Sequence, residues 1–308
     1  MKNLTAGISR RRFLAASGTA AAVLAAQTMK TAAFAGVAAD GAMSAAKKYP
    51  IGLELYSVRT ELAHDLPATL RTVAEMGYEV VEFYAPYFDW TLPYAKDVRA
   101  MMDDHGLRCY STHNQVASFT PGETMAKAIE LNQILGARYL IMASEPGGTT
   151  GPAGWGKLCA QLSAASELLK PHGLAAGFHN HQTEWAMLDG STRFMDFIAA
   201  NTPKDFVLQL DVGTCVEAGA DPVAWIKANP GRIKIVHLKD WAPGSKAEEK
   251  SYRVLFGEGV APWKEIVTAL ESTGGVEFYL MEQEGSRYPE FETARRCLEA
   301  WKAFKVRV

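Results

Sequence analysis

The stretch "RIKIVHLKD", Arg232–Asp240, decides the fold. Successive side chains of a strand point to opposite faces, so Ile235, His237 and Lys239 share one face while Val236, Leu238 and Asp240 share the other. Seven further apolar runs resemble it: "PIGLEL" (50–55), "YEVVEFY" (78–84), "LRCYST" (107–112), "ARYLIMAS" (137–144), "LAAGFHNH" (174–181), "FVLQLDVG" (206–213) and "VEFYLMEQE" (276–284). Between them lie segments of helical period, among them Leu66–Met76, Glu123–Leu135, Gly154–His172 and Ala261–Thr273, each followed by a glycine of the C-cap type. Strand and helix recur about every 30 residues, the rhythm of parallel strands with crossover helices. Eight such units predict a single-domain (β/α)8 TIM barrel over residues 49–308, in the usual size range of about 250 residues. The alternative, a doubly wound open sheet, lacks its glycine fingerprint: the first turn, "LELYSVRTEL", has no G-x-G-x-x-G. Gly257 and Gly259 read as a turn before the seventh helix.

Residues 1–35 stand apart. "SRRRFLAASGTAAAVLAA" pairs Arg10-Arg11 with Phe13-Leu14 and a small-residue apolar run, and so resembles a signal of the twin-arginine export route. The run from Phe13 to Ala26 is shorter than the roughly 20 residues that cross a bilayer, and "AFAG" at Ala33–Gly36 offers a small-x-small cleavage site. The expectation is a periplasmic protein with no stable membrane anchor, in which residues 36–48 link signal and barrel. Five of the 32 Lys and Arg residues lie in residues 1–35 and none of the 34 Asp and Glu does, so the remainder is acidic by seven charges. That sign argues against a nucleic-acid partner. The four cysteines are widely spaced with no C-x-x-C, so neither a zinc knuckle nor a disulfide framework is expected. Whether the protein forms a homo-oligomer is left open.

In a barrel the active site is built from residues at the C-terminal ends of the strands. Here those ends carry Glu54, Glu82, His113, Glu145, His179, His181, Glu184, Asp211, His237, Lys239, Glu282 and Glu284. Alternation also pairs Gln209 with Asp211, Glu282 with Glu284, and His179 with His181. Imidazoles and carboxylates converging without a thiolate suit Mn²⁺, Co²⁺, Fe²⁺, Zn²⁺ or Mg²⁺.

The ordered set "GLELYSVR", "HNHQTEW", "LQLDVG", "GRIKIVHLKD" and "YLMEQE" resembles the sugar phosphate isomerase/epimerase family of xylose isomerase-like TIM barrels. The resemblance implies a divalent metal, Mn²⁺ first among the candidates, held by a carboxylate on the fifth strand, an aspartate on the sixth, a histidine on the seventh and a glutamate on the eighth. Asp211, His237 and Glu282 carry over. On the fifth strand this chain has His179 where ketohexose epimerases of the family have a glutamate that binds metal and moves a proton. A metal-bound imidazole cannot also be the second proton carrier. The candidates for that role are Glu184, Lys239 and His113 beside Glu282, and Glu184 remains an alternative for the fifth-strand ligand itself.

The implied chemistry is abstraction of the proton next to the carbonyl of a keto-sugar, by a base with Lewis-acid assistance. Return of the proton on the other face makes an epimerase or isomerase. Expulsion of a glycosidic oxygen β to the carbonyl makes a lyase of 3-keto-glycosides, and a non-catalytic periplasmic sugar-binding protein is the third reading. Glu54, Glu82, His181, Trp185 and Trp241 are the candidate contacts to the sugar or glycoside. Among the loop aromatics, Tyr56, Tyr84, Tyr87 and Trp90 also offer flat faces for a sugar ring.

Overall fold

The computed structural model describes residues 49–244 and 251–307; the expected signal (1–35) and linker (36–48) lie outside the described residues. Eight strands form a closed, all-parallel barrel in sequence order: β1 (Ile51–Glu54), β2 (Val80–Phe83), β3 (Arg108–Asn114), β4 (Tyr139–Met142), β5 (Ala175–His179), β6 (Val207–Asp211), β7 (Ile235–Leu238) and β8 (Phe278–Met281). Closure comes from β1 against β8, with Gly52 opposite Leu280. Each of the eight apolar runs supplies one strand. No helix among the described residues is long and apolar enough to cross a membrane.

The helices follow the period of the sequence, and their ends follow local chemistry. Leu66–Met76 begins where the Asp65 carboxylate accepts the Ala68 N–H at 2.9 Å, and it ends at Gly77, whose φ of 100° belongs to the left-handed region. The expected helix Gly154–His172 starts three residues earlier, at Gly151, because Pro152 fits the first turn, and its last three residues tighten to a 3-10 turn. The expected helix Ala261–Thr273 starts only at Trp263, after Pro262, and its end, Leu270–Gly274, widens into a π turn.

Inside the barrel, Val80, Tyr139, Ile141, Val207, Ile235, Phe278 and Leu280 form an apolar plug separate from the larger core between strands and helices. Two residues further along the same strands, alternation returns the chain to the interior with polar groups: Glu82 after Val80, Gln209 after Val207, His237 after Ile235, Glu282 after Leu280. Glycine makes room in the plug. A Cβ on Gly177 would lie 2.4 Å from Ile141 Cδ1 and 2.9 Å from the Val207 carbonyl oxygen, and Gly177 precedes His179 by two positions. Gly177→Ala should therefore cost about 1–3 kcal/mol of stability through overpacking, read as a lower denaturant midpoint with an unchanged slope. An unchanged midpoint would show that the plug relaxes freely.

Candidate metal centre and catalytic cavity

Register places the polar layer. Glu54 pairs with Glu82, His179 with Gln209, and Asp211 with His237 across adjacent strands. All of these are buried, as are His113, Lys239 and Glu282.

The Gln209 amide organises the layer. Its nitrogen donates to both Glu82 carboxylate oxygens, at 2.9 and 3.2 Å, so its oxygen faces the other way. That oxygen accepts from His113 Nε2 at 2.7 Å and from His179 Nδ1 at 2.9 Å. A carboxylate can only accept, so the amide orientation and both tautomers are fixed by this network. Each histidine then keeps one nitrogen lone pair: Nδ1 of His113, 3.8 Å from Glu54 Oε1, and Nε2 of His179, 4.0 Å from Asp211 Oδ2. Burial, reinforced by the neighbouring histidines, holds His179 well below the ordinary imidazole range and so neutral, and burial likewise lowers His113.

His237 lies between two carboxylates, Nδ1 2.7 Å from Glu282 Oε2 and Nε2 2.8 Å from Glu82 Oε2. Burial opposes its charge, but Glu282 and Glu82 outweigh burial and raise it well above the ordinary value. Lys239 Nζ contacts Glu284 closely, lies 3.3 Å from Asp211 Oδ2 and 3.8 Å from Glu282 Oε1, and sits 4.7 Å from the centre of the Tyr252 ring. Against its burial, Asp211 and Glu282 keep it charged. Burial pushes Glu282 up, yet Lys239 and His237 prevail and hold it well below the usual carboxylate range.

His179, Asp211, His237 and Glu282 bring one potential ligand atom each to within 4.8 Å of one another. Three observations fit a divalent metal there. His179 turns a lone pair toward Asp211, the donors are imidazole and carboxylate without thiolate, and Asp211 Oδ2 is buried without a hydrogen-bond partner. The other Asp211 oxygen accepts the Thr214 N–H at 2.9 Å, while the Asn180 amide bonds the Asp211 backbone at 3.0 and 3.2 Å, so Oδ2, whose near neighbour is Lys239 Nζ at 3.3 Å, is held in place.

A cavity of about 550 Å³ opens above this cluster, lined by Glu54, His113, His179, His181, Glu282 and Glu284 among others. Glu82 lies beneath it as an acceptor for Ser111, Gln209 and His237. The structure places three expected site residues, Glu184, Trp185 and Trp241, away from the cavity wall. The Glu184 carboxylate caps a short turn: it accepts the His181 N–H at 2.8 Å and the Thr183 hydroxyl at 3.1 Å, and it is not among the cavity-lining residues. The Trp185 ring is 3% exposed and packs edge to face on Trp225 at 5.3 Å, so it offers the cavity no face. Trp241 is half-buried and likewise does not line the cavity.

Asp240, unremarked in the sequence beyond its outward face, anchors the chain after β7. Its carboxylate accepts from Trp241 N, Gly257 N, Gly259 N, Ala261 N and Trp263 Nε1, at 2.9–3.4 Å. The Gly257–Gly259 turn is confirmed and explained: a Cβ on Gly259 would lie 2.0 Å from Asp240 Oδ1.

A closed parallel barrel with its polar cluster at the strand ends defines the class. Residues 70–304 match the xylose isomerase-like TIM barrel family, and the chain belongs to that family. It is similar in structure to a sugar phosphate isomerase/epimerase from Parabacteroides distasonis, 24% identical, over 84% of this chain and 98% of that one, with a TM-score of 0.71. It is similar also to an IOLI protein solved with a binding zinc atom, 16% identical, over 83% of this chain and 96% of that one, with a TM-score of 0.61. At these identities both likenesses speak for the fold alone. An inosose dehydratase of Clostridium botulinum is 30% identical over 107 residues, a stretch that spans 34% of this chain and 35% of that protein.

Removing five acceptor contacts at once should loosen the loop more than the barrel. Asp240→Ala is expected to speed amide hydrogen exchange at Gly257, Gly259 and Ala261 by at least tenfold, since each lost buried bond is worth about 1 kcal/mol or more. Unchanged exchange there would show that the loop is held by its apolar contacts.

Proposed function

We propose that this protein is a divalent-metal-dependent enzyme that removes the proton next to the carbonyl of a keto-sugar and returns it, as an isomerase or epimerase. The observation that carries the reading is the convergence of His179 Nε2, Asp211 Oδ2, His237 and Glu282 beneath a cavity lined by further protonable side chains. When bound there, a metal such as Mn²⁺ or Zn²⁺ would supply Lewis-acid polarisation of the carbonyl. His179, Asp211, His237 and Glu282 would hold it, with His237 giving up a proton to do so. The relatives with named activities, isomerases, epimerases and a dehydratase, are compatible with chemistry that begins by proton abstraction. The resemblance of residues 1–35 to a twin-arginine export signal supports a site of action outside the cytoplasm, where unphosphorylated sugars would be the available substrates.

The chain's own residues divide the proton work. Glu282 is ionised, lines the cavity, and is the base. His179 has lost the proton-carrying ability of a fifth-strand glutamate, Glu184 is committed to its cap, and Lys239 is held charged by three carboxylates. His113 remains: it lines the cavity, it is neutral, and its Nδ1 lone pair faces Glu54, whose carboxyl burial raises well above the ordinary value and so favours the protonated form. Glu54 backing His113 gives a proton source on a second wall of the cavity.

The test is solvent exchange in D₂O with ketohexoses and 3-keto-glucosides on the metal-reconstituted protein. Deuterium should enter at the carbon next to the carbonyl of at least one of them. His113→Gln should keep the metal and lose about 10²–10⁴ in turnover, whereas Glu184→Gln should keep both metal and turnover apart from a small loss of stability. Full turnover in His113→Gln would reassign the second proton carrier.

A further inference from the structure

The sugar contacts expected from Trp185 and Trp241 have no counterpart in the cavity, yet the catalytic face carries aromatic surface elsewhere. The loops after β1 and β2 enclose a groove of about 410 Å³ beside the catalytic cavity. Its walls are Tyr84, Trp90 and Tyr94 on one side and the turn His64–Pro67 on the other, with Phe83 and Tyr87 buried at its base. Trp90 and Tyr94 meet edge to face at 5.3 Å, Trp90 is half-buried, and Tyr94 is 39% exposed. Tyr84 lines both the groove and the catalytic cavity, so the two spaces adjoin at this residue. On the cavity side Tyr84 meets Tyr56 edge to face at 5.2 Å, which continues the aromatic strip toward Glu54.

We infer that this groove is a second subsite, which takes the ring joined through the glycosidic oxygen to the sugar held at the cluster, so that the substrate is a glycoside and not a free monosaccharide. The inference rests on the sugar reading of the catalytic cavity. The ring fits on three grounds. Tyrosine and tryptophan surfaces bury the apolar face of a six-membered ring while the exposed His64 and Asp65 at the rim meet its hydroxyls. The volume is within the range of small-molecule sites. Because Tyr84 borders both spaces, they lie side by side on the catalytic face, as the two rings of a glycoside require.

Calorimetric titration of the metal-reconstituted protein with phenyl and methyl D-glucopyranosides, in both anomeric forms, tests it. The phenyl glycoside of one anomer should bind about tenfold more tightly than its methyl counterpart, and Tyr94→Ala and Trp90→Leu should each remove most of that preference while leaving the methyl glycoside's affinity and the metal content unchanged. Tyr94 is exposed, so its variant keeps the test valid should Trp90→Leu fail to fold. No preference in the wild type, whether through equal affinities or through binding of neither, overturns the subsite, as does a preference that survives Tyr94→Ala. Full metal content without a preference refutes the subsite alone; a preference without metal refutes the metal reading alone.

Discussion

The side-chain amide of Gln209 is the constraint on which the site depends. By donating to Glu82 it commits its oxygen to His113 and His179, and this leaves His179 Nε2 and His113 Nδ1 with their lone pairs turned away. Without that fixed amide, neither imidazole has a defined tautomer, and the one facing Asp211 would as readily present a proton as a lone pair. The amide in turn is placed by register, since Gln209 stands opposite His179 and two residues before Asp211. Beneath it the apolar plug excludes water, which makes each of these hydrogen bonds matter more than it would at a surface.

On the proposed metal reading, His179 in place of a fifth-strand carboxylate changes the electrostatics of the layer. One negative charge would be absent from the ligand set, while Lys239 supplies positive charge among Asp211, Glu282 and Glu284. A neutral ligand at β5 also uncouples metal holding from proton transfer on that side. On that reading the remaining acid–base capacity lies with Glu282, directly after β8, and with the His113–Glu54 pair from β3 and β1. That reading would shift proton transfer toward the β1–β3 side of the barrel, where the aromatic groove also opens.

The fold was legible because each strand is a short apolar run and each crossover ends in a turn-forming residue. The polar layer was legible because period two carries Ile235 to His237 and Val207 to Gln209 and Asp211 on one face. Residues beyond the last turn of a strand were not. Glu184 and Trp185 lie in a short turn whose direction no periodicity sets, and the capping bond from His181 N and the packing on Trp225 decided both. The sequence did hold one unused signal for the loop after β7: an aspartate directly after the strand with two glycines seventeen and nineteen residues later, which close around its carboxylate. The hub role of Gln209 needed a partner from β2 and another from β3, a set of contacts distant in sequence that alternation alone does not name.

The central claim is that His179 Nε2, Asp211, His237 and Glu282 hold one divalent ion. Anomalous diffraction from crystals of the Mn²⁺-loaded protein tests it most directly. The account predicts a single strong peak at bonding distance from His179 Nε2 and Asp211 Oδ2, with His179 Nδ1 still bonded to Gln209. A peak bonded through Glu184 instead of His179, or no peak in the cluster at full Mn²⁺ loading, would contradict it.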